Sequence, residues 1–128
     1  MDRSTSVLTS VKKMLGLEEA YDVFDNDILM HINANLAILC QEGIGPAEGI
    51  SIENKDQTWE IFTPSIPGKV LDMLPTYLYI KVKLAFDPPE SSKTAESYEN
   101  MAREYEIRMY TELNDYLPGV EPKPIKIK

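Results

Sequence analysis

Apolar residues near the start of the chain recur at the spacing of one helix face. Between Ser4 and Leu15 they fall at positions i, i+1, i+4, i+7 and i+8, and they are Val7, Leu8, Val11, Met14 and Leu15. Lys12 and Lys13 lie near the end of this stretch, where the helix macrodipole favours cations. The pattern predicts a first helix from about Ser4 to Leu15 that ends at Gly16.

A second apolar stripe predicts a longer helix. It consists of Ile28, Leu29, Ile32, Leu36 and Leu39. Asp25 is the expected N-cap, with Asp27 in the first turn. The stripe fades at Cys40, and Gly43 is the expected stop.

The chain between the second and third helices is rich in turn-forming residues. Residues 43–56 hold three glycines and a proline. Ile50-Ser51-Ile52 has the alternation of a short β-strand. Thr58–Phe62 carries large apolar groups that need burial, and its pattern fits either a single helical turn or a short extended piece.

Two further helices complete the predicted fold. Pro75 is tolerated at the first helical position, so the third helix should start at Leu74 or Pro75, after a turn over 70–73. It should end near Phe86, because Asp87-Pro88-Pro89 cannot continue a helix. The fourth helix should run from Ser92 or Thr94 to Leu117. Its exposed face carries two acid-first i,i+4 pairs, Glu99 with Arg103 and Glu104 with Arg108.

The last residues differ in composition from the rest. Residues 118–128 carry three lysines and one acid, and two prolines there favour an extended chain. An alternating apolar–basic pattern suits addition to a partner as a strand or extended segment; a disordered terminus is the competing interpretation. The candidate partner-binding residues are Val120, Lys123, Ile125, Lys126, Ile127 and Lys128.

The predicted fold class is therefore mainly α. We expect a small bundle of about four helices in residues 1–117, with a turn-rich loop that could hold a short β segment, and an extended C-terminal tail over 118–128. The 128 residues suit one core.

Charge and composition argue against several functions. The net charge of −8 argues against a general nucleic-acid coat or a basic membrane-surface binder, since both need clustered Lys and Arg. The longest apolar runs fall short of a membrane span, and we expect no membrane partner. A single cysteine allows no intrachain disulfide and no cysteine-rich zinc site.

No set of residues in the sequence suggests catalysis. His31 and Cys40 are the one histidine and one cysteine, and nine helical residues place them roughly 13 Å apart. The acidic cluster Asp22, Asp25 and Asp27 fails the calcium-loop spacing, because the twelfth position from Asp22 is Asn33. We expect no enzymatic activity, no cofactor and no metal.

Several segments in this order resemble the connector proteins of long-tailed phages and prophages, whose genes lie between the portal and tail genes. The segments are Leu8–Gly16, Phe24–Ile28 closing on Gly43–Pro46, Thr76–Pro89, and the last helix to about Asn114.

The resemblance implies a structural virion protein at the head–tail interface, made in the host cytoplasm. Such a head–tail connector, or adaptor, subunit forms a ring of about twelve copies with cyclic symmetry. The ring docks on the portal protein and presents its other face to a stopper or tail-completion protein. Double-stranded DNA passes through the lumen without sequence-specific binding, which a negative lumen would favour. The family's C-terminal segment often contacts the portal, which suits the tail residues named above.

An alternative class rests on acidity alone. A small acidic helical regulator or inhibitor that mimics DNA charge would act as a monomer or dimer on a basic enzyme. Its oligomeric state would distinguish it from a connector.

Overall fold

The computed structural model describes residues 2–114, and it is mainly helical. Its α-helices are α1 (Val7–Met14), α2 (Asp25–Gln41), α3 (Gly68–Leu71), α4 (Leu74–Phe86) and α5 (Ser92–Asn114), with a 3-10 turn over Trp59–Phe62. Four of these helices are longer than one turn, which confirms the predicted mainly-α fold. The predicted boundary between residues 117 and 118, the tail and its candidate residues lie outside the described part of the chain.

The helices pack around α4. It contacts α1, α2, α3 and α5, so its apolar residues form the centre of the core. The buried side chains that α4 contributes are Leu74, Tyr77, Leu78, Ile80 and Val82. The largest buried apolar residues outside α4 are Trp59 and Phe62. Both belong to the 3-10 turn, so the 58–62 segment forms a helical turn and not an extended piece.

α1 begins later in the chain than predicted, because Ser6 caps it. Ser6 has extended backbone and its hydroxyl accepts a hydrogen bond from Thr9 N–H at 3.1 Å, so Ser6 is the N-cap and the helix begins at Val7. The predicted start at Ser4 was wrong. Ahead of the cap, Thr5 and Ser6 pair with the 57–59 segment, and Val7 N–H donates to the Gln57 carbonyl at 3.0 Å.

α2 begins at Asp25, as predicted, but its N-cap differs from the prediction. Phe24 occupies the N-cap position without a side-chain cap, and Asp25 is the first helical residue. The Asp25 carboxylate instead forms an ion pair with Lys12 Nζ at 2.8 Å. The prediction that Asp25 caps the helix was therefore wrong, although it lies in the first turn where the macrodipole favours an acid.

The Ile50–Ile52 segment forms no strand in the described chain. Ile52 N–H donates to Asn33 Oδ1 at 2.8 Å, and Asn33 Nδ2 donates to the Ile52 carbonyl at 2.9 Å. A side-chain amide on α2 thus occupies both backbone groups that a neighbouring strand would use. The alternation reflects one buried residue, Ile52, between exposed neighbours.

The later helices follow the prediction closely. Pro75 lies in the first turn of α4, and the short helix α3 precedes it. α5 begins at Ser92, and its predicted end at Leu117 lies beyond the described residues. The Glu104–Arg108 pair is formed at 2.7 Å. Arg103 donates instead to Asn100 Oδ1 at 3.3 Å, so the predicted Glu99–Arg103 pair was wrong.

Candidate functional site

One aromatic contact and one ion pair show which helix ends lie together. Phe24, at the start of α2, packs edge-on against Phe86, at the end of α4, with ring centroids 5.1 Å apart. Lys69 of α3 pairs with Glu112, in the last turns of α5, at 3.6 Å. Because α3 directly precedes α4, the C-terminal end of α5 lies beside the start of α4. α4 spans about 20 Å, so the C-terminal end of α5 and the 18–27 segment lie at opposite ends of α4.

The 18–27 segment forms one of these ends, which we call the acidic end. Residues 16–27 hold five acids and no lysine or arginine. Asp25 is neutralised by Lys12, and the four exposed carboxylates are those of Glu18, Glu19, Asp22 and Asp27. Val23, in the same segment, is 66% exposed. The acidic end therefore combines uncompensated negative charge with exposed apolar surface.

Lys12 holds the acidic end in place. Its side chain is 2% exposed, and Nζ donates to the Glu19 carbonyl at 2.9 Å as well as pairing with Asp25. A buried ammonium needs such partners because desolvation of an unpaired charge is costly. The sequence placed Lys12 correctly in α1 but gave no sign that it is buried. Lys13, its exposed neighbour, keeps the role expected at a helix C-terminus.

The outward face of α2 is a second surface feature. Its exposed positions are Asn26, Asp27, Met30, Ala34, Ala37, Ile38 and Gln41. Only Asp27 is charged, although 27% of the chain's residues are charged. Met30 and Ile38 are 58% and 46% exposed. Low charge with exposed Met and Ile is typical of a protein–protein contact surface. The sequence analysis missed this uncharged face, because the apolar stripe predicted only the buried side of α2.

The chemically reactive side chains do not form a catalytic group in the described structure. His31 and Cys40 both lie on α2, as predicted, and each is half-buried. Burial raises the pKa of the Cys40 thiol, and Glu48 raises it further against a backbone hydrogen bond from Ile50. A raised thiol pKa is the opposite of what an activated nucleophile needs.

A group of carboxylates and a tyrosine lies where the end of α2 meets α4 and α5. Burial, followed by the Glu106 carboxylate, raises the pKa of the Tyr77 hydroxyl. Burial also raises the pKa of Glu42, with Glu106 adding to the effect and Lys81 opposing it. Glu42 Oε2 is buried without a hydrogen-bond partner. These side chains lie between packed helices. Burial and the nearby negative charge of the carboxylates explain why the pKa values of Tyr77 and Glu42 are both raised.

Residues 2–114 offer neither a metal site nor a membrane span. Across this range, no group of His, Cys, Asp and Glu side chains is arranged to hold a metal ion. No helix in the same range is long and apolar enough to cross a bilayer.

The fold and surfaces described above define a class: a small, mainly helical protein with an acidic end and an exposed, nearly uncharged face on α2. The chain belongs to the phage connector family, since the family model described as "Phage connector protein" matches residues 7–115. This family is structural and non-enzymatic. Searches among curated proteins and solved structures give no significant match. The family match confirms the resemblance inferred from the sequence segments.

Proposed function

We propose that the chain is the subunit of a ring that joins the phage head to the tail, within the virion. In this proposal the ring docks on the portal protein at one side and receives a stopper or tail-completion protein at the other. DNA passes through its lumen. Family membership supports a structural connector role, and the ring, its partners and the passage of DNA are the proposal.

The separation of the two ends carries this proposal. A connector must meet two different partners, and the acidic end and the end of α5 lie at opposite ends of α4. The acidic end carries Glu18, Glu19, Asp22 and Asp27, while the basic segment 118–128 follows α5 in the sequence. We propose that this C-terminal segment contacts the portal, through Val120, Lys123, Ile125, Lys126, Ile127 and Lys128. The acidic end then faces the opposite partner.

The uncharged face of α2 is the proposed contact between neighbouring copies. α2 and α5 each pack on α4, so the outward face of α2 remains available after the core has formed. A ring with cyclic symmetry needs a contact between two different faces of the subunit, which closes on itself after a fixed number of copies. Met30 and Ile38 are the apolar anchors that α2 offers to such a contact.

The acidic balance suits a passage for DNA. Residues 2–114 carry ten basic and nineteen acidic side chains, a net charge of −9. Acidic side chains facing the lumen would repel the phosphate backbone and prevent it from sticking.

Charge reversal of the tail tests the portal contact. In the full chain, Lys123, Lys126 and Lys128 are each changed to Glu, and binding to purified portal is measured by co-sedimentation. We expect the affinity to fall at least about tenfold, because a segment of charge +2 becomes strongly acidic. The matched control changes Lys13, Lys55 and Lys93, three exposed lysines elsewhere on the chain, to Glu. An equal loss in both variants would count against a contact specific to the tail.

A further inference from the structure

A shallow groove runs along α5 on the side that faces the junction of α3 and α4. Its wider part has a volume of about 410 Å³ and is lined by Met73, Met101, Glu104, Tyr105 and Arg108. A second hollow of about 310 Å³ shares Met73 and Arg108 and continues to Thr111 and Glu112. The two hollows form one path, the Met73 groove, from the last turns of α5 back to Met101.

The floor of the Met73 groove is apolar and open to water. Met101 is 43% exposed, and Met73 and Tyr105 are half-buried. Covering such a surface with an apolar side chain is favourable. The flexible side chains of two methionines adapt readily to the shape of an occupant.

We propose that the Met73 groove binds residues 120–128 of the same chain. The groove begins beside Thr111 and Glu112, at the end of α5 that precedes this segment in the sequence. Leu117-Pro118-Gly119-Val120 has Pro and Gly in the order that a type II turn favours at its central positions. In the proposal the chain reverses there, so that residues 120–128 run back along α5.

The lengths of the two segments match. Met101 precedes Asn114 by thirteen helical residues, about 20 Å along the axis. The seven steps from Val120 to Ile127 span about 24 Å when extended, about 4 Å more than that distance. After a turn at Pro118-Gly119, the segment is therefore long enough to bring Ile125 and Ile127 within reach of Tyr105 and Met101, with some length left to offset residues 115–117.

The chemistry of the segment fits the groove as well. In an extended chain Ile125 and Ile127 point to one side, and Lys126 and Lys128 to the other. The isoleucines meet the apolar floor, and the lysines lie near the carboxylates of the rim. Glu104 is already paired with Arg108 at 2.7 Å, but both side chains are more than 60% exposed, and such surface pairs exchange partners at little cost.

This binding gives the free chain a resting position for the segment that we assign to the portal. The segment would be covered before assembly and released when a partner competes for it. The inference concerns the free chain, so its test contains no portal and remains informative even if the portal contact proves wrong.

Disulfide trapping in the full chain tests the inference. Cys40 is first replaced by Ser, and the pair Met101→Cys and Ile125→Cys is then introduced. The control pair is Ala34→Cys and Ile125→Cys, since Ala34 is exposed on the outward face of α2. Under mild oxidation, we expect the groove pair to form an intramolecular disulfide at least about tenfold faster than the control pair. The rate should not depend on protein concentration.

Two results would overturn the proposal that residues 120–128 bind in the Met73 groove. Equal rates for the two pairs would mean that the segment has no preferred site. A disulfide found only between two chains would mean that a second copy occupies the groove.

A second measurement avoids the introduced cysteines. Met101→Lys places a positive charge on the groove floor at an exposed position, where it opposes both the isoleucines and the lysines of the segment, and circular dichroism checks that the fold is retained. Cleavage by trypsin after Lys126 should become at least about fivefold faster than in the unmodified chain, because the segment is released. An unchanged cleavage rate would also contradict the proposal.

Discussion

Lys12 shows how much one residue contributes beyond what its sequence position indicates. The sequence places it in the last turn of α1 beside Lys13, and the two look equivalent. In the structure Lys12 is buried and joins α1, the loop after it and the start of α2 through Glu19 and Asp25. A buried lysine depends on a partner that lies thirteen residues away, and helical periodicity carries no information about that partner.

Replacement of Lys12 should destabilise the fold. Lys12→Met keeps the aliphatic length but removes the ion pair and leaves the Asp25 carboxylate uncompensated. Because Asp25 is partly exposed, we expect a loss of about 2 kcal/mol in the free energy of unfolding, below the range for a fully buried pair. Urea unfolding measures it. Lys13→Met is the matched control and should change stability by less than about 0.5 kcal/mol.

Glu42 gives the protein a pH-dependent stability. Burial and Glu106 raise the pKa of its carboxyl above 4.5 in the folded state. The folded state therefore binds the proton more tightly than the unfolded state, and this contribution to stability is lost as the pH rises from about 4.5 through the folded-state pKa. Glu42→Gln removes the ionisable group and should be more stable than the unmodified protein at neutral pH.

The pH profile of the difference is the test for Glu42. Unfolding free energies of both proteins are measured by urea from pH 4 to 8. The advantage of Glu42→Gln should be small at pH 4 and should grow towards neutral pH. The exposed substitution Glu90→Gln should show no such trend. A constant difference across the range would indicate that lost packing, and not ionisation, governs the effect.

At the scale of elements, the sequence predicted helices well and local irregular structure poorly. α4 and α5 were located because prolines and sustained apolar periodicity mark their limits and buried faces. The 50–52 segment was wrongly predicted as a possible strand. An alternating pattern indicates which side chains are buried, but it does not show which groups form hydrogen bonds with the backbone. Here the backbone partner is Asn33, nineteen residues earlier in the chain.

Asn33 should therefore anchor the long loop to α2. Asn33→Ala removes both hydrogen bonds to Ile52 and leaves backbone groups of a buried residue unpaired. We expect a loss of about 2 kcal/mol in the free energy of unfolding. Amide hydrogen exchange should also quicken in residues 50–57 before it does so in α4. Asn26→Ala, at an exposed position of the same helix, is the control. Equal stability of the two variants would show that the loop is held by Trp59 and Phe62 alone.

At the scale of the whole molecule, the family could be predicted from the sequence but the surfaces could not. The order of the segments over residues 8–114 resembled connector proteins, and the family match over 7–115 confirms this. The opposite placement of the acidic end and the C-terminal end of α5 depends on contacts between distant residues, such as Phe24 with Phe86. The candidate tail residues 120–128 were proposed from pattern alone and stay a prediction.

Mass in solution is the decisive measurement for the connector proposal. Multi-angle light scattering would be applied to the chain alone, to the portal alone and to their mixture, with a Met30→Glu, Ile38→Glu variant in parallel. We expect a complex with about twelve copies per portal ring and a much smaller complex, or none, for the variant. A chain that remains a monomer or dimer and leaves the mass of the portal unchanged would contradict the proposal.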